Sequence, residues 1–255
     1  MSSDHKNILL STCYLAPINY YSLLIQKREA IVEQYEHFRK QTYRNRANIY
    51  GPNGLHPIII PVRYKNHTPI KDVLIAYDYD WQLLHWKTLE SAYRKSPYFE
   101  FYESDLLPFY EKRFEFLLEF NQAIQEKIVE LLGVKINFQL TSSYVANIEI
   151  MKFTQTIMEK TLDLFGAKTN VQLPSSYVAN SDGLDDFREA FHPKVVFNSL
   201  SKGREPVSNL FREAGGGGAY QQVFGNKFGF LPNLSIIDLL FNLGPQAIEY
   251  LQDFR

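Results

Sequence analysis

The chain changes period several times, and those changes predict its elements. Residues 7–12 are a short apolar run between turn residues, the pattern of a strand buried on both faces. Residues 18–26 carry apolar positions at helical spacing, and 29–34 read again as a strand. Strand, helix and strand at this spacing predict a βαβ unit, hence a parallel pair. Two extended runs, 45–50 and 56–62, flank Gly51-Pro52-Asn53-Gly54, which predicts a hairpin. Residues 72–76 suggest a further strand.

From Trp81 the period becomes helical, and a helix is expected over 81–95, ended by Ser96-Pro97. Residues 106–109 and 114–132 are further helix material, the second stopped by Gly133. A strand over 135–140, a helix over 148–165 and a strand over 170–173 would form a second βαβ unit. Weaker strand patterns lie at 194–197 and 220–224. Ser235 and Asp238 suggest a capping box for a helix over 236–243. Gly244 suits its C-terminal turn, and Pro245 opens a final helix to about residue 252. The stretch 199–218, with four consecutive glycines, reads as a mobile surface loop rather than a phosphate loop, because no Gly-Lys-Ser/Thr follows.

These elements predict an α/β fold. It is a single domain over 1–255, with a mixed, largely parallel sheet flanked by helices, plus a β-hairpin near residues 45–62. One nonapeptide, Gln-Leu-Thr-Ser-Ser-Tyr-Val-Ala-Asn at 139–147, recurs at 172–180 with Pro for Thr. Each copy follows a strand, so Ser142, Ser143, Ser175 and Ser176 either face one crevice at the carboxyl end of the sheet or serve as caps and turns.

Composition narrows the class. A net charge of −1 argues against a dedicated nucleic-acid binder or membrane-surface protein. The single cysteine, Cys13, permits no intrachain disulfide and fits a reducing, cytoplasmic setting. No run approaches the roughly 20 apolar residues of a membrane helix. The histidines show no metal-binding spacing, so neither metal nor cofactor is expected.

Charge is unevenly distributed. Residues 37–71 contain no acid but hold Arg39, Lys40, Arg44, Arg46, Arg63, Lys65 and Lys71, leaving about −8 for the remainder. In a strand Arg44 and Arg46 would share a face and could grip a phosphate or carboxylate bidentately. The competing reading is a charged edge strand. On the helix from Trp81, His85 falls in the middle of an aromatic face and Lys87 falls opposite. A histidine there is either a hydrogen-bonded core residue or a general acid–base group bordering a cleft. Cys13 reads as a buried thiol, since no histidine spacing marks it as a nucleophile.

Six segments then stand together in order: Tyr14-Leu15-Ala16-Pro17; 41–46 (Gln-Thr-Tyr-Arg-Asn-Arg); Pro52-Asn53-Gly54 ahead of Ile60-Pro61-Val62; His85-Trp86-Lys87; Ser96-Pro97-Tyr98-Phe99; and 231–242 (Leu-Pro-Asn-Leu-Ser-Ile-Ile-Asp-Leu-Leu-Phe-Asn). In these the chain resembles the WbqC-like protein family, from about residue 9 to 251. The resemblance implies a bacterial cytoplasmic protein of O-antigen or other surface-polysaccharide biosynthesis. It carries over Tyr43, Arg44, Asn45, Arg46, His85, Trp86 and Asn242 as motif members. The leading expectation is a transferase, adding an acyl or aminoacyl group to a nucleotide-activated or phosphorylated sugar. In it Arg44 and Arg46 bind the anion, His85 is the base, and Tyr43, Asn45 and Trp86 shape the pocket. The alternatives are a scaffold of a polysaccharide-assembly complex, with an exposed aromatic patch, and an RNA-binding protein.

Overall fold

The computed structural model describes residues 8–145, 185–188 and 219–253. Its centre is a parallel sheet of β1 (Ile8–Ser11), β2 (Glu29–Glu33), β7 (Asn137–Leu140) and β8 (Asp185–Asp186), ordered β7-β2-β1-β8. Ile8 pairs with Ala30 and Ser11 with Glu33 in parallel register. β1 is buried along its whole length, which is why it reads as an unbroken apolar run. Helix α1 (Ile18–Lys27) returns the chain from β1 to β2. It closes on Arg28, whose left-handed backbone (φ 61°) lets its N–H reach the Leu24 carbonyl at 2.8 Å. The α/β class and the first βαβ unit therefore hold. The helix expected over 148–165, the strands over 170–173 and 194–197, the second nonapeptide and the loop 199–218 lie outside the described residues.

Around this sheet lie two antiparallel pairs. β3 (Arg46–Gly51) and β4 (Gly54–Ile59) form the expected hairpin, turning through Pro52-Asn53 with Gly51 opposite Gly54. Short β5 (Val62–Arg63) and β6 (Leu74–Ile75) form the other. Only Leu74 and Ile75 of the strand expected over 72–76 are extended in this way, because Asp72 closes a 3-10 turn, Ile70–Asp72.

The helical part holds α2 (Trp81–Tyr93), α3 (Phe99–Leu106), α4 (Pro108–Glu111) and α5 (Leu117–Leu131). It ends with α6 (Gly225–Phe228), α7 (Ile236–Leu243) and α8 (Ala247–Asp253). α2 starts at Asp80, whose carboxylate accepts the Leu83 N–H at 3.3 Å. It buries Trp81, His85, Trp86, Leu89 and Tyr93, and these rings join Phe99, Phe120 and Phe241 in one aromatic core.

Two expectations fail for physical reasons. Residues 220–224 form no strand, because the Gln222 side chain takes the backbone of Leu231 at both ends of its amide and the chain then enters α6. Ser235 and Asp238 form no capping box. The Ser235 hydroxyl has no partner among the described residues, and Asp238 turns its carboxylate toward the Tyr220 hydroxyl and, at 3.0 Å, the Gln222 amide. Gly244 follows α7 at φ 56°, and Pro245 lies in a 3-10 turn before α8. No helix among the described residues is long and apolar enough to cross a membrane.

Candidate functional site

Two concave places stand out among the described residues. The first lies at the carboxyl ends of the parallel strands. The path β1-β2-β7 runs outward on one side of β1 and β8 lies on the other, so the order reverses at β1. α/β sheets bind ligands at such a reversal. The residues at these ends are polar and buried: Ser11 at the end of β1, Glu33 at the end of β2, Thr141 after β7 and Arg188 after β8. Thr141 donates its hydroxyl to Glu33 at 2.8 Å, and Arg188 pairs with the same carboxylate at 3.4 Å.

Arg44 enters this centre from the loop before β3. Its Nε donates to Glu36 Oε1 at 2.9 Å, and its Nη2 donates to Glu36 Oε2 and to Ser11 Oγ at 3.0 Å. α5 braces it, since Asn121 donates to the Arg44 carbonyl at 2.8 Å. Two buried guanidiniums are thus balanced by two buried carboxylates. The space left, lined by Ser11, Cys13, Tyr20, Tyr43, Arg44 and Arg188, is about 10 Å³, room for one water. Cys13 borders it with a thiol that burial pushes up to about 12, so it is a thiol and not a nucleophilic thiolate.

This corrects the electrostatic reading of residues 37–71. The counterion of Arg44 is Glu36, one position before the acid-free stretch begins. Of the remaining cations, Arg63 pairs with Asp78, Lys40 sits over the Tyr64 ring at 5.7 Å, and Lys71 over the Tyr35 ring at 4.6 Å. Nor do Arg44 and Arg46 share a strand face: β3 begins at Arg46, so Arg44 precedes the alternation. Arg46 is half-buried and opposes Ile59 across the hairpin.

The other motif residues are mostly packing groups. Tyr43 is buried, its carbonyl takes the Tyr14 N–H at 2.8 Å, and burial raises its hydroxyl to about 12. Asn45 ties the hairpin to the following chain, with its amide on the Ile60 carbonyl at 2.8 Å. Trp86 lies in the core against Tyr110 and Phe99. Asn242 caps back onto its own helix, donating to the Asp238 carbonyl at 2.7 Å. His85 is 4% exposed, meets the Tyr14 hydroxyl at 3.1 Å and hydrogen-bonds the Ile59 backbone. Tyr14 in turn bonds Tyr110 at 2.9 Å. Burial depresses His85 to about 4, so at neutral pH it is an uncharged core group rather than a base open to substrate.

The second place is open. A cleft of about 300 Å³ lies between the β3–β4 turn and the outer face of α2. That volume reaches the lower end of the range for small-molecule pockets. Asn53, Leu55 and His56 line the hairpin side, and Lys87, Thr88 and Ser91 the helix side. Lys87, Asn53 and His56 are exposed. Gly51 lets the strands pass close to His56, because a Cβ there would stand 3.0 Å from the His56 Cβ. Lys227 braces the turn from α6, donating to the Pro52 carbonyl at 3.2 Å. The helical period places Lys87 on the outer face of α2; that the hairpin overhangs this face needs the tertiary structure. His56, Thr88 and Ser91 carried no sequence signal as a group. The one available pointer was that Pro52-Asn53-Gly54 and His85-Trp86-Lys87 are both motif segments. Among the described residues, no group of three or more metal-ligating side chains forms.

A small parallel α/β sheet, an appended hairpin and a polar cleft beside it define the class of this protein. The chain belongs to the WbqC-like protein family, whose model matches residues 12–250. It is also similar to the uncharacterized protein Rv1507c of Mycobacterium tuberculosis, 27% identical over 253 residues, 98% of this chain and 99% of that protein. No solved structure matches.

Proposed function

We propose that the chain is a bacterial transferase of surface-polysaccharide biosynthesis, adding an acyl or aminoacyl group to a nucleotide-activated or phosphorylated sugar held in the cleft between the β3–β4 turn and α2. The observation that supports this reading is the lining of the cleft. One exposed cation, Lys87, stands with an exposed imidazole, His56, and with the neutral hydrogen-bonding groups of Asn53, Thr88 and Ser91. An ammonium can hold a phosphate, hydroxyl and amide groups match sugar hydroxyls, and an imidazole can take the proton of an attacking amine or hydroxyl. The polysaccharide setting is what the resemblance to the WbqC-like family implies, and it is part of the proposal. A cytoplasmic location, where activated sugars are made, is part of the same proposal.

Lys87 and His56 replace Arg44 and His85 as the residues assigned these roles. The RNA-binding alternative is weakened, because several cations of the basic stretch are spent on Glu36, Asp78 and tyrosine rings. The scaffold alternative calls for a contiguous exposed aromatic patch. Among the described residues the exposed rings are Tyr79, Phe101, Tyr144 and Phe228.

Titration calorimetry with UDP- and dTDP-hexoses tests the assignment. Lys87→Ala should weaken binding by about tenfold to a hundredfold, the loss of one charge-assisted hydrogen bond, and the wild-type affinity should fall with salt. Equal affinities for wild type, Lys87→Ala and His56→Ala would refute it.

A further inference from the structure

His37 and His67 lie thirty positions apart, so no spacing rule links them. The fold brings them together on the surface, edge to face at 73° with ring centroids 5.0 Å apart. Their Nδ1 atoms are 3.4 Å from each other, and both side chains are exposed.

The backbone holds this arrangement in place. His37 forms an isolated antiparallel bridge with Pro69, and the Phe38 N–H donates to the Thr68 carbonyl at 2.9 Å. The next bond along, from the Ile70 N–H to the Glu36 carbonyl, is 2.8 Å. On the other side the Thr68 hydroxyl donates to the Lys65 carbonyl at 2.9 Å and accepts the Lys65 N–H at 2.9 Å, closing a tight turn that contains His67. His67 itself has a left-handed backbone, φ 63°, a conformation that non-glycine residues rarely adopt. Main-chain pairing therefore sets the two histidines side by side.

We propose that His37 and His67 form a chelate for a divalent transition-metal ion of the zinc, nickel or copper(II) class. Two metal–nitrogen bonds of about 2.05 Å meeting at the tetrahedral angle span about 3.3 Å between the nitrogens. The observed 3.4 Å matches that span with almost no movement. Imidazole nitrogen is the donor these metals favour. No third His, Cys, Asp or Glu gathers there among the described residues, so the ion keeps open coordination positions, unlike a closed structural zinc. The site stands apart from the hairpin cleft and does not depend on the transferase reading.

The test is calorimetric titration of the full chain with zinc chloride in a non-coordinating buffer at neutral pH, with long-range nitrogen–proton NMR of the imidazoles in parallel. One zinc per chain should bind saturably, and the Nδ1 signals of two histidines should move together. His37→Gln and His67→Gln should each weaken that binding by at least about tenfold. Both side chains are exposed, so the far-ultraviolet circular dichroism of either variant should be unchanged. The proposal is overturned if wild type binds no zinc saturably. It is equally overturned if the affinity survives in both variants, which would place the metal on other histidines.

Discussion

Two buried groups titrate in opposite directions in this protein, and separating them is a sharp test of its core. Burial holds His85 at about 4, against 6.5 for a free imidazole. As pH falls from 6.5 toward 4, the unfolded chain takes a proton at this residue and the folded chain does not, so stability is lost. At 1.36 kcal/mol per tenfold, the loss is about 3 kcal/mol. Asp238 behaves in the opposite sense. Burial raises its carboxyl from 3.8 to about 6, against the partial opposition of its Tyr220 and Gln222 hydrogen bonds. Between pH 6 and 3.8 the folded chain takes the proton and the unfolded chain does not, so stability is gained, again by about 3 kcal/mol. In wild type the two contributions largely cancel. Single substitutions expose each one. Denaturant unfolding of wild type, His85→Gln and Asp238→Asn at pH 4, 5, 6 and 7, followed by circular dichroism, reads them directly. The stability of wild type minus that of His85→Gln should fall by about 3 kcal/mol from pH 7 to 4, and wild type minus Asp238→Asn should rise by about as much. Differences that do not change with pH would refute the argument for both residues.

Other consequences follow from the same packing. Glu36→Ala strands the Arg44 guanidinium inside the fold and should cost about 3–5 kcal/mol in the same unfolding assay. Cys13 should resist a disulfide-exchange reagent in the native protein and react as one equivalent after denaturation, because its thiol is buried and raised to about 12. Gly244→Ala places a Cβ 2.4 Å from the Tyr98 ring at a left-handed backbone position, so it should destabilise by more than about 1 kcal/mol, visible as a lower melting temperature.

The fold was more legible in the sequence than the site. Buried strands such as β1 read as apolar runs, and α7 matches its expected span of 236–243 because the helical period and the following glycine agree, even though the expected capping box does not form. The site was harder because its residues meet only in three dimensions. Counting charge along the chain gave Arg44 a free guanidinium, whereas its carboxylate partner stands at Glu36, just outside the counted window. Strand parity placed Arg44 beside Arg46, but the strand starts two residues too late for that. Helical period put His85 on the aromatic face, and only its contacts with Tyr14 and Ile59 decide that this face is sealed. Asp238 looked like a capping residue because its spacing from Ser235 is right; a tyrosine and a glutamine from the preceding segment compete for the same carboxylate and win.

Chemical-shift mapping tests the central claim most directly. Isotope-labelled protein is titrated with a nucleoside diphosphate hexose, and the amide signals are followed. The cleft account predicts saturable shifts concentrated at residues 51–56 and 87–91, on the two walls of the cleft. Shifts centred instead on Ser11, Cys13, Tyr43 and Arg44, at the carboxyl ends of the parallel strands, would contradict it.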